Sequence, residues 1–443
     1  MKKKAVSIEP LELIGFLKQE LNELPDKRKG NNKKYTVENA VTAAFSVFFT
    51  QCSSFLEHQR LMKKKRGKDN AQSLFGLEEI PCDNQIRNLL DPIPAETVFG
   101  TFKTVYEWLD KHGIINQFEY LDNQILLTLD GTEYYCSKNI NCPHCNSRKH
   151  RNGSITYYHQ VVTPVIVSPA QTVVINLAPE FIKKPEGKTK EDCENAAIKR
   201  WLLKNPASTY KKQITLLGDD LYSCQPICEL ALKQGYNFIF VAKRSSHKNL
   251  YEWIDFLEKN GEIITGEIKR YEQGKIRLYR YKYGNNLPIR ESEPCLMVNW
   301  YEVEIFDPVK NKVIYQNNFI TNHKLNKENI LRIFISGKTR WKVENENNNT
   351  LKNKGYNLEH NFGHGQENLS EILLSLNLLA FLFHNVLDLV DQLYQKTRKF
   401  LGTRKTFFND IRALLKYVWF QKWQDLFVFI LTEGEEKKAI DSS

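Results

Sequence analysis

A chain of 443 residues with 41% hydrophobic content exceeds what one ordinary core holds, so roughly two to four domains or subdomains are expected. Its net charge of +11 comes from basic residues gathered at Lys63–Arg66, from Lys183 to Lys212 and from Lys396 to Lys416, a pattern that fits a polyanion partner. The odd count of 9 cysteines and a Met-Lys-Lys-Lys start without an apolar leader argue against a disulfide framework and predict a reducing, cytoplasmic setting.

In chain order, residues 1–33 hold a short helix, Pro10 to Leu24, and a charged linker. Residues 34–120 predict a helical, DNA-binding domain. Apolar residues recur at helical spacing from Thr36 to Arg60, and further helices are expected at Cys82–Leu90 and Ala95–His112. Between them the basic loop Lys63–Asp69 suits either phosphates or a solvated surface. Residues 121–260 change to strands: Ile125–Leu129, Ile155–Val167, Thr172–Leu177, Ile214–Leu217 and Asn237–Ala242, with helices at Lys188–Lys204 and Pro226–Gln234. The order β-β-β-α-β-α-β predicts an α/β class, a mixed sheet flanked by helices.

Alternating runs joined by Gly- and Asn-rich turns make residues 261–320 an all-β insertion. Residues 321–395 return to helices: Asn326–Ser336, one carrying R-W-K-V-E at Arg340–Glu344, and a long apolar one at Leu369–Tyr394. Its most apolar part, Ile372–Val390, is broken by Asn377, His384, Asn385 and Asp388, which predicts a buried helix and no membrane partner. Residues 396–443 form a basic, aromatic C-terminal region. Its aromatics suit either a surface along DNA or a packed amphipathic helix.

Two stretches share one construction. I-L-L-T-L-D-G-T-E runs from a buried strand into Asp130 and a glycine turn, and Q-I-T-L-L-G-D-D does the same at Asp219. An acid at the lip of a buried strand is held rigidly, which suits a metal ligand. With Glu344 on a helix, the acids can hold two divalent ions, commonly ~3.5–4 Å apart, and hard oxygen ligands select Mg2+ or Mn2+. Asp220 and Glu346 are rivals for Asp219 and Glu344; a solvated or capping role is the expectation for both.

L-D-G-T-E at Asp130, L-L-G-D-D-L-Y at Asp219, N-N-F-I-T-N at Asn317–Asn322 and R-W-K-V-E at Arg340–Glu344 together resemble the DDE transposases of bacterial insertion sequences. The branch has a ribonuclease-H-like core, a β-strand insertion before the catalytic glutamate, and a Tyr-Arg-Glu-Lys signature. The resemblance spans roughly residues 125 to 365 and implies that Asp130, Asp219 and Glu344 are the catalytic metal ligands. It also implies that Arg340 and Lys352 contact DNA phosphates, and that Trp341 packs the helix. Two positions depart from the signature: its tyrosine falls at Gly337, and its lysine falls at Leu351, with Lys352 one place late. The implied activity is binding of terminal inverted repeats, cleavage to free a 3′-hydroxyl and strand transfer into target DNA, by a homodimer. A structure-selective nuclease on the same core, or a catalytically dead DNA-binding descendant, are the alternatives.

A separate constellation, C-x5-C-x2-C-x4-H, places Cys136, Cys142, Cys145 and His150 at spacing that suits structural Zn2+, with His144 and His159 nearby. Cys224 and Cys228, four apart on a helix, are expected to be buried thiols. Tyr356, His360 and His364, in the Gly355–Gly365 stretch, fit a helix-linking loop.

Overall fold

After a first helix, Pro10–Leu21, Thr36 and Asn39 start the next one by capping each other. Asn39 donates its backbone N–H to Thr36 Oγ1 at 3.0 Å, and the Thr36 N–H reaches Asn39 Oδ1 at 3.1 Å. Such a cap contributes about 1 kcal/mol. The helix it opens, Val37–Phe49, is buried along nearly its whole length. Its Phe45 and Phe49 meet Phe383 and His384 of the helix Leu369–Val390, at 5.2 and 4.5 Å between ring centres. Burying each such ring contributes roughly 2–3 kcal/mol, so the two ends of the chain share one core.

A computed structural model describes residues 6–21, 34–62, 68–184 and 192–432. The basic loop Lys63–Arg66 lies outside them, as do the first residues of the expected Lys188–Lys204 helix, part of the second basic run, and the end of the C-terminal region.

The strands in chain order are β1 (Glu119–Leu121), β2 (Gln124–Thr128), β3 (Gly131–Ser137), β4 (Asn146–Lys149), β5 (Ile155–Val162), β6 (Val165–Val167), β7 (Ile175–Asn176), β8 (Glu180–Ile182), β9 (Ile214–Gly218), β10 (Asn237–Val241), β11 (Ile264–Glu272), β12 (Lys275–Pro288), β13 (Met297–Asp307) and β14 (Lys312–Thr321). A 10-stranded sheet runs β11-β12-β13-β14-β10-β9-β2-β6-β7, with β1 paired to β2. Its centre is parallel, β2 with β9 and β9 with β10, while β6 and β14 join antiparallel. The architecture is α/β: a mixed sheet flanked by helices, preceded by a helical region.

β2 and β9 are buried at every residue, as expected of Ile- and Leu-rich strands covered on both faces. The alternating runs after residue 261 do not stand apart; β14 pairs with β10 and carries the hairpins onto the main sheet.

Two strand expectations change. The run expected as one strand, Ile155–Val167, is split at Thr163-Pro164, because proline has no N–H to donate to a ladder. β5 before the break belongs to a second sheet, β3-β5-β4 with β8 beside β5, while β6 after it belongs to the main one. In the Thr172–Leu177 run only Ile175–Asn176 pairs. The apolar helix also ends sooner, at Val390, since Asp391 caps the next helix by accepting from the N–H groups of Leu393 and Tyr394 at 2.8 and 3.0 Å.

Leu369–Val390 is the one described helix long and apolar enough to cross a membrane, and 89% of its apolar window is buried inside the molecule. In the C-terminal helices Phe407, Phe408, Trp423 and Phe427 face inward, whereas Phe400 and Tyr417 are exposed.

Candidate active site

The parallel register pairs Thr128 with Leu217, so Asp130 and Asp219, each two residues further on, leave the sheet at the same level. From β2 the chain turns to β6 and β7 on one side and returns as β9 on the other. Both aspartates therefore stand beyond the carboxyl ends of the parallel pair β2 and β9, the place where α/β sheets commonly offer a crevice.

The carboxyl of Asp130 is pushed up to about 7, by burial first and then by Glu194; Arg340 opposes this, and Glu344 and Asp219 add to it. The charges of the other two predicted acids, Asp219 and Glu344, therefore act on this carboxyl. Asn348 Nδ2 donates to Asp130 Oδ2 at 2.8 Å, which fixes its orientation. Asp219 accepts the Leu221 N–H at 2.9 Å. Asp220 is turned away to a structural role. It accepts from the backbone N–H of Lys243 at 2.6 Å and from Ser246 Oγ, and so holds the loop after β10.

Glu344 lies on a π-helical stretch, Val343–Asn348, that follows the helix Ile330–Lys338. Its carboxylate is exposed and pairs with Arg340 at 2.8 Å. Glu346 exerts its charge on Lys342, whose ammonium is buried and donates to the carbonyl of Gln171. The same stretch turns Asn347 and Asn348 inward, and Asn176 Nδ2 donates to Asn347 Oδ1 at 2.6 Å. Lys352 pairs with Glu359 at 2.8 Å. Trp341, expected to pack the helix, is instead 40% exposed beside Arg340.

Gly337 stands where the signature has tyrosine, and space forbids a side chain there. A Cβ would lie 2.8 Å from the Tyr301 hydroxyl and 2.9 Å from Ile239 Cγ2.

One carboxylate near the aspartates was not among the acids expected from sequence. Glu194, in the first turn of the helix Glu194–Lys204, accepts the Gly131 N–H at 3.1 Å and a hydrogen bond from the Tyr222 hydroxyl. Its carboxyl is raised by burial, lowered by Tyr222, raised by Asp219 and lowered by Gly131. A Cβ at position 131 would collide with it, so glycine there admits the carboxylate. The available signal was an acid at a helix start, D-C-E before an apolar-faced helix. Asp192, the other acid of that tripeptide, pairs with Arg200 at 2.7 Å.

Away from the crevice, Cys142, Cys145, His159 and His364 are all buried, and their ligand atoms lie within 4.8 Å of one another. The cluster is compatible with a structural metal site. The expected set is corrected at two positions. Cys136 is exposed, because on β3 it points away from the face that Tyr135 shares with its cross-strand partner His159. His150 is engaged in the β4–β5 hairpin, its Nε2 lying 2.7 Å from Thr156 Oγ1. Their places are taken by His159 from β5 and His364 from the Gly355–Gly365 loop. Tyr356 of that loop is a core residue, its hydroxyl 2.7 Å from His384 Nδ1, and His360 is exposed. Cys228 is buried and Cys224 half-buried, and neither belongs to the cluster.

No family model matches this chain, and no curated protein matches it.

Proposed function

We propose that this protein is a DDE-type DNA transposase, built on a ribonuclease-H-like core, that binds element ends and frees a 3′-hydroxyl for strand transfer. One observation carries the reading: Asp130 and Asp219 leave adjacent parallel strands at one level, with Glu344 on a helix close enough for its charge to act on Asp130. Separated carboxylates brought to a switch-point crevice suit divalent ions better than they suit a nucleophile or an acid–base pair.

In this reading Asp130, Asp219 and Glu344 hold two Mg2+ or Mn2+ ions. When bound, the ions supply Lewis-acid stabilisation and lower the pKa of the attacking water or hydroxyl. Burial raises Asp130, so its carboxylate gains from a cation more than an exposed one would. Asn348 keeps one of its oxygens oriented. Arg340, paired with Glu344 at 2.8 Å, would supply a fork of N–H donors to a phosphate beside that acid. Lys352 offers a second phosphate contact, and the basic excess draws the DNA. A homodimer acting on paired ends follows from the same reading.

A strand-transfer assay with 3′-hydroxyl donor ends and Mg2+ tests it. Joined products that vanish in Asp130→Asn and Asp219→Asn are the expected result. Cutting without joining identifies a structure-selective nuclease on the same core, and binding alone a catalytically dead descendant.

A further inference from the structure

The Cys/His cluster has the dimensions of a particular coordination sphere. Zn2+ bound tetrahedrally at about 2.3 Å from sulfur and about 2.0–2.1 Å from nitrogen separates two sulfurs by ~3.8 Å, and a sulfur from a nitrogen by ~3.6 Å. Cys142 Sγ and Cys145 Sγ are 3.8 Å apart. His159 Nε2 lies 3.5 Å from the first and 3.4 Å from the second, and His364 Nε2 lies 3.5 Å from Cys145 Sγ. Two thiolates and two neutral imidazoles around a dication leave no net charge, so the assembly can be buried without an unpaired ion. Four protein ligands close the sphere, as structural sites require, and soft sulfur with imidazole selects Zn2+ over the hard ions that suit carboxylates.

The ligands come from separate parts of the chain. Cys142 and Cys145 sit between β3 and β4, His159 is on β5, and His364 is 219 residues beyond Cys145. His364 belongs to the segment that follows the Glu344 helix and leads into Leu369–Val390. Asp91 holds the end of that segment, accepting the N–H groups of Gln366, Glu367 and Leu369 at 3.0, 3.0 and 3.1 Å. Phe362 packs on Phe48 of the N-terminal helices at 4.9 Å between ring centres.

We propose that Cys142, Cys145, His159 and His364 bind one Zn2+, and that this ion locks the second sheet to the segment joining the Glu344 helix to the long buried helix. The lock stands independently of the transposase reading.

The test is the metal content of the full chain purified from zinc-supplemented medium, with hydrogen exchange read over residues 355–368. A single zinc per chain is expected, retained in Cys136→Ser and His150→Ala. Cys142→Ser and His364→Ala should weaken binding by about 100-fold or more, and speed exchange in 355–368 while β2 and β9 stay protected. Should those variants fail to fold, Co2+ exchanged into the wild-type chain decides. Tetrahedral visible bands with thiolate charge transfer support the proposal; an octahedral spectrum or none overturns it. A folded, zinc-free wild type, or equal zinc loss in Cys136→Ser, overturns it as well.

Discussion

The acidic site proposed for catalysis and the Cys/His cluster gather potential metal ligands in opposite ways. In the crevice the ligands are like-charged, Asp130 is pushed up to about 7, and Glu344 turns outward to Arg340. In the cluster the ligand atoms already converge within 4.8 Å and every residue is buried. In the proposed reading, carboxylates that repel one another would need cations and would leave room for substrate oxygens, whereas a closed set of four ligands would serve the fold. The two proposals thus assign one site to chemistry and the other to architecture, and each half of that contrast can be broken separately.

The largest effect should come from the crevice. Asp130→Asn, Asp219→Asn and Glu344→Gln are each expected to cut divalent-dependent cleavage by ~1000-fold or more, with unchanged circular dichroism. Glu346→Gln should stay within about 3-fold of wild type in the same assay. Equal losses in Glu344→Gln and Glu346→Gln would dissolve the distinction between those two acids. The cluster should respond in stability instead: Cys142→Ser is expected to cost several kcal/mol in urea unfolding, with the crevice acids untouched.

Smaller effects probe the shoulders of the crevice. Gly131→Ala should displace Glu194 and lower cleavage by roughly 10-fold, read as a higher Mg2+ requirement with the fold intact. Gly337→Ala should cost about 1–3 kcal/mol in urea, because Tyr301 and Ile239 leave no room.

An effect of comparable size lies in neither region. His58 is fully buried, neither ring nitrogen has a hydrogen-bond partner among the described residues, and burial pushes its pKa down to about 3. As pH falls below about 6.5 the unfolded chain takes up a proton that the folded one refuses, so stability falls with pH until about 3. At pH 5 the loss is about 2 kcal/mol. His58→Phe should remove that portion, measured as the difference between urea midpoints at pH 7.5 and pH 5.

The placement of Asp130 and Asp219 at strand ends was legible in the sequence because its signals are local: a buried strand, a polar lip, a glycine. The central strands and the N-terminal helices were legible for the same reason. His364 was beyond such reading, since no local spacing reports a ligand 219 residues away. Cys136 and His150 looked right by spacing alone. The alternation of β3, which puts Tyr135 and Cys136 on opposite faces, was the overlooked clue. Pro164 likewise carried its message openly, as a residue that ends a ladder. Glu194 was missed because an acid at a helix start has a common explanation in the helix dipole.

The π-helical stretch at Val343–Asn348 has a consequence for how positions along it are counted. Such a stretch is an α-helix with one residue inserted, so everything beyond it is shifted by a place around the axis. Measured by angle, Lys352 occupies the direction that residue 351 would take on an uninterrupted helix, two turns beyond Glu344. Leu351 meanwhile turns fully inward. Under the proposed reading the lysine that comes one place late in the sequence takes the signature's direction in space, and deleting a single residue between 345 and 348 would restore a regular α-helix without turning it away.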